Sequence, residues 1–124
     1  MNLVDSSGWL EYLADTNNAR HFARAIEYTS KLIVPSITVL EVFKRVLSQR
    51  GEDAALQAVT LMRQGRVVDL DFSLALLAAK LGVQHKLPMA DSIILATART
   101  AKAVLWTQDS HFEGLDNVKF FSKR

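Results

Sequence analysis

Cysteine is absent from the 124-residue chain, which excludes a disulfide framework and any thiolate-ligated zinc site. Proline occurs twice and glycine five times, too rarely for a linker or a low-complexity segment. No apolar run approaches the roughly 20 residues of a bilayer span, and the N-terminus lacks the basic, apolar and small-residue order of a signal peptide. A cytoplasmic protein with no membrane segment is therefore expected. There is no G-x-G-x-x-G, no Walker loop and no G-x-S-x-G, so dinucleotide, nucleoside-triphosphate and serine-hydrolase chemistries lack support. His21, His85 and His111 stand singly and match no zinc spacing, which makes surface or core roles the expectation for all three.

What is present describes a packed domain: 49% of residues are hydrophobic and 23% charged. The length suits one domain, expected to span 1–124 without an internal boundary. Net charge is only +2, which by itself says little. If four of the thirteen acids share an interior site, nine remain against fifteen Lys and Arg, and the exterior carries +6. A basic exterior around an acidic pocket suits a polyanion held against a metal.

The organising stretch is Met1 to Gly8, where Leu3 and Val4 run into Asp5 and then Ser6, Ser7 and Gly8 break the run. It reads as a short buried strand ending on a carboxylate, at the end of a sheet where α/β proteins bind ligands. Helical spacing follows over Trp9 to Leu13 and from Ala19 to Tyr28. Leu32 to Val34 is a second strand, stopped by Pro35, with Ser36 able to cap the next helix. That helix carries Val39, Leu40, Phe43, Val46 and Leu47 as its apolar stripe. Further helices are expected over Ala54 to Met62, Phe72 to Val83 and Ala90 to Ala98, the last buried nearly all round. Val67, Val68 and Leu70 make a third strand, Val104 to Trp106 a fourth, and Val118 to Phe121 a fifth at an edge. Strands alternating with helices imply an α/β fold with a parallel sheet, two of whose crossovers contain helix pairs.

Four carboxylates fall just past the ends of these elements. Each has an ordinary explanation: Asp5 as a helix cap, Glu41 in a capping box from Thr38 or an ion pair with Arg45, Asp91 favoured by a helix dipole, and Asp109 in a turn. Against these stand the strand-end positions of Asp5 and of the Thr107-x-Asp109 pair, and the apolar surroundings of Asp91. Grouped carboxylates in low dielectric repel one another unless divalent cations neutralise them, and hard oxygen ligands select Mg²⁺ or Mn²⁺. Such metals activate water and steady the leaving oxygen in phosphodiester hydrolysis.

MNLVDSSGWLEYL, PSITVLEVFKRVL, LPMADSIILATA and WTQDSHF together resemble the ordered motifs of PIN-domain ribonucleases, most closely the VapC-type toxins of toxin–antitoxin pairs. The resemblance covers nearly the whole chain. It implies a three-layer α/β/α sandwich with a central parallel sheet of about five strands in the order 3-2-1-4-5. The family's acidic quartet falls on Asp5, Glu41, Asp91 and Asp109, as metal ligands and catalytic residues, with supporting hydroxyls on Ser6 and Thr107. Further implications are Mg²⁺- or Mn²⁺-dependent endonucleolytic cleavage of RNA, a homodimer, and inhibition by a small VapB-like antitoxin. Two other readings remain: a non-catalytic PIN module that binds RNA or protein, and an aspartyl-phosphate protein of receiver type, for which Asp69 and Asp71 lack the expected setting.

Overall fold

Three apolar runs, β1 (Asn2–Val4), β2 (Leu32–Pro35) and β4 (Val104–Thr107), lie side by side as parallel strands in a computed structural model that describes residues 1–123. Burial on both faces selects such uninterrupted apolar strands. β3 (Arg66–Val68) and β5 (Val118–Phe120) are short, polar-containing edges that complete an all-parallel sheet of order β3-β2-β1-β4-β5. That is the α/β/α order implied by the family resemblance.

Because side chains alternate across a strand, the three inner strands divide the core into two layers. Leu3, Ile33 and Leu105 pack under α5 (Phe72–His85) and α6 (Met89–Ala101). Val4, Leu32, Val34 and Trp106 face the other way, onto Trp9 of α1 (Ser6–Ala14), Phe22 of α2 (Ala19–Ile26), Val42 of α3 (Ser36–Arg50) and Met62 of α4 (Glu52–Met62). The α6 expectation holds, since Ser92 through Ala98 are all buried. No helix among the described residues is long and apolar enough to cross a membrane.

Several local expectations are corrected. Helix pairs fill three crossovers, not two, and β4 reaches β5 through only a 3-10 turn at Ser110–Phe112, anchored by the fully buried Phe112. Ser36 forms no cap bond, and the buried stripe of α3 is Thr38, Val42 and Val46, with Leu40 and Leu47 exposed. Val42 and Val46 pack into the layer of Val4, Val34 and Trp106, and the side of the helix that meets this layer, not the periodicity, decides which apolar residues are covered. The third strand starts at Arg66 and ends at Val68, leaving Leu70 outside it.

α1 approaches the sheet at Gly8, which is buried. A Cβ there would lie 2.6 Å from Val4 Cγ1 and 2.7 Å from the Phe22 ring. Gly8→Ala, which in an open helix would gain up to about 1 kcal/mol, is expected here to lose about 2 kcal/mol by overpacking. Urea denaturation measures it, and an unchanged or raised midpoint would contradict the close approach.

Candidate metal centre

Val4 of β1 pairs with Trp106 of β4, so the next residues on the two strands, Asp5 and Thr107, emerge side by side. They stand at the carboxyl end of the sheet, between the first strand and its neighbour across the switch in strand order. The Thr107 hydroxyl donates to Asp5 Oδ2 at 2.5 Å. Asp5 Oδ1 accepts from the Ser7 hydroxyl at 2.7 Å and from the Gly8 amide at 2.9 Å. The last contact makes Asp5 the N-cap of α1, and that role leaves its other carboxylate oxygen at the sheet end. With two donors on Oδ1 and one on Oδ2, Asp5 retains a lone pair on Oδ2 for a further partner. It is 2% exposed, and burial pushes its carboxyl up to about 6 despite the three hydrogen bonds that oppose the shift.

Asp109 is tied to the same frame, its amide donating to Thr107 Oγ1 at 2.9 Å. Thr107 therefore accepts from one acid's backbone while donating to the other's side chain. Asp109 Oδ1 caps the 3-10 turn through the His111 amide at 2.9 Å. Asp91 enters from the first turn of α6, one turn past Pro88. Its Oδ2 lies 2.9 Å from His111 Nδ1, which is also 3.1 Å from Asp109 Oδ1. Burial first, and the Asp109 charge second, raise the Asp91 carboxyl to about 6, while Asp109 foremost holds the His111 imidazole above its ordinary value. Asp91, Asp109 and His111 each offer a ligand atom, all within 4.8 Å of one another. Asp91 Oδ1 and Asp109 Oδ2 accept no hydrogen bond among the described residues.

Glu41 stands apart from this group. Its Oε1 accepts from the Ser6 hydroxyl at 2.5 Å, so Ser6 supports Glu41 and not Asp5. Neither ordinary role for Glu41 forms among the described residues: the buried Thr38 hydroxyl has no partner, and there is no ion pair with Arg45. Glu41 instead faces an open cleft of about 830 Å³ between α1 and α3, whose lining includes Ser6, Lys44, Arg45 and Lys123.

Three residues at the rim were not anticipated as site residues. Ser7 is the second hydroxyl on Asp5, and the Asp-x-Ser spacing of a side-chain turn is the signal that could have found it. Gln108 donates its amide to Ser7 Oγ at 3.2 Å, and its side chain bonds both Glu11 and Asn18, fastening the Thr107–Asp109 segment to the end of α1. His111, assigned to a surface or core role, lies between two of the acids. The turn that Asp109 makes with the amide two residues on brings the imidazole back over its own carboxylate.

Residues 3–118 match the family model of the PIN domain. The chain belongs to the PIN-domain family. No curated protein matches it in sequence. Among solved structures, this PIN domain is similar to a chain of a toxin–antitoxin complex from Klebsiella pneumoniae, at 20% identity and a TM-score of 0.83, covering 99% of this chain and 100% of that one. It is also similar to Mycobacterium tuberculosis VapC20, described as a sarcin–ricin loop cleaving toxin, at 17% identity and TM-score 0.78, covering 94% and 95% of the two chains. A third similarity is to DNA-bound VapBC of Salmonella typhimurium, at 17% identity and TM-score 0.76, covering 98% of each chain. At these identities the likeness establishes a shared fold.

The buried acids of the PIN domain make its stability depend on pH. Unfolded, Asp5 releases its proton near 3.8; folded, it holds it to about 6. Between those values the folded state binds more protons, so raising the pH through that window removes stability, by up to about 3 kcal/mol for this group. Asp91 changes in the same sense. In urea denaturation without divalent cations, Asp5→Asn is expected to lose less stability than the wild type as the pH rises from 4 to 7. Parallel profiles for the two proteins would contradict the assignment.

Proposed function

We propose that this PIN domain is a divalent-metal-dependent endoribonuclease and the toxin of a VapC-type toxin–antitoxin pair. The observation that carries the reading is the convergence of Asp5, Asp91 and Asp109 beside a cleft that carries Lys44 and Arg45. The Asp109 charge raises the proton affinity of both Asp5 and Asp91, and Asp5 adds to that of Asp91, a repulsion that a non-catalytic binding module has no reason to bear. The donor set fits Mg²⁺ or Mn²⁺, since the carboxylates of Asp5, Asp91 and Asp109 are hard oxygen donors that keep lone pairs beyond those used in their hydrogen bonds. A bound cation would neutralise these carboxylates, polarise the scissile phosphate and lower the pKa of water.

The chain's own residues do the rest. Thr107 fixes Asp5 and the Asp109 backbone relative to each other, so two ligands share one rigid support. Glu41, its Oε1 held by Ser6, presents Oε2 to orient the attacking water. Lys44 and Arg45 draw the RNA backbone into the cleft. The sarcin–ricin loop activity in the description of VapC20 and the antitoxin complexes among the similar structures support RNA as substrate and an antitoxin as partner. Cytoplasmic RNA would then be its target.

In a cleavage assay on test RNA with Mg²⁺ or Mn²⁺, EDTA is expected to abolish the reaction. Asp5→Asn or Asp109→Asn should lower the rate by more than about 100-fold with the circular dichroism spectrum unchanged. Full activity in either variant, or in excess EDTA, would overturn the reading. A homodimer is supported by an apolar stripe on α5, where Phe72 is 80% and Val83 83% exposed. Light scattering should report a dimer that Phe72→Glu weakens; a wild-type monomer would count against it.

A further inference from the structure

We infer that His111 is a ligand of the same centre, making it a mixed oxygen–nitrogen site that prefers Mn²⁺ to Mg²⁺. The inference rests on the metal-dependent reading above and extends it to the choice of cation. His111 Nδ1 lies 2.9 Å from Asp91 Oδ2 and 3.1 Å from Asp109 Oδ1, facing both carboxylates at once. Ligand atoms at right angles around a cation with bonds of about 2.1 Å are about 3 Å apart. The same spacing serves a shared proton, so the nitrogen occupies a place that either a proton or a cation can bridge.

The imidazole is not there by the chance of a loose surface rotamer. Its backbone amide is bonded to Asp109 Oδ1 at 2.9 Å, and the turn that carries it is fastened by the fully buried Phe112 on one side. On the other side the Asp109 amide is bonded to Thr107. With the ring 52% exposed, Nε2 is free to carry the proton in solvent while Nδ1 turns its lone pair inward. Carboxylate and water oxygens alone suit Mg²⁺ and Mn²⁺ alike, whereas an imidazole nitrogen favours the later transition metals and gains little with Mg²⁺. One nitrogen among oxygens therefore tilts the centre toward Mn²⁺ without excluding Mg²⁺.

Mn²⁺ added to the metal-free wild-type protein is expected to give an electron spin-echo signal modulated by directly bound imidazole nitrogen, lost in His111→Asn. Calorimetric titration should show Mn²⁺ affinity falling about 10-fold or more in that variant and Mg²⁺ affinity by less than about 3-fold. Bound Mn²⁺ without nitrogen coupling, or equal losses for both cations, would overturn the role of His111 and leave metal-dependent cleavage standing. Failure of the wild-type protein to bind either cation would overturn both. His111→Gln repeats the comparison with a longer side chain and should match His111→Asn; retained nitrogen coupling there would count against the inference.

Discussion

The hydrogen bond from Thr107 to Asp5 joins the ends of β1 and β4, and the geometry of the candidate centre depends on it. The strands are fixed by their ladder, Asp5 is fixed on β1 by its own bond to the Trp106 carbonyl, and Thr107 transmits that order to the Asp109 backbone. A carboxylate at 2% exposure is costly in a nearly apolar setting, and the three donors offset part of that cost. What remains is a carboxyl displaced toward its protonated form. Such a group is poised to bind a cation, because the same burial that penalises a bare charge strengthens its attraction to an opposite one.

The same logic makes the centre a compromise between stability and chemistry. Asp109 is close enough to raise the proton affinity of Asp5 and Asp91, and no Lys or Arg forms an ion pair with the three acids among the described residues. Among the described residues the basic group in contact with Asp91 and Asp109 is the His111 imidazole. Two-sided burial of the sheet, with seven consecutive buried residues on α6 and the Val4–Trp9–Phe22 layer opposite, supplies the rigidity that holds like charges together. The site is therefore carried by a core that does not participate in its chemistry.

The elements were readable because their signals are local. Leu32 to Val34 is too short and too apolar for anything but an inner strand, and Pro35, Gly51 and Gly65 mark the ends of β2, α3 and the turn after α4. The parallel order was available only through the family resemblance, since periodicity says nothing of which strand lies beside which. The α3 stripe misled because Leu40 and Leu47 match a helical period, yet burial depends on how the helix is rotated against the sheet. Among the acids, Asp5 and Asp109 were marked by strand ends. Glu41 looked like a local cap or ion-pair partner, and it is Ser6, 35 residues away, that claims it.

By itself, then, the sequence determined which residues carry charge, where strands and helices alternate, and that several carboxylates sit at the ends of those elements. These follow from short-range spacing and from the exclusion of cysteine, glycine-rich and nucleophile motifs. Tertiary structure alone decided that Thr107 serves Asp5 and that Ser6 serves Glu41. It also decided that His111 faces Asp91 and Asp109. The physical reason is that a hydrogen bond between residues far apart in the chain is set by strand register and helix rotation, which no local pattern encodes.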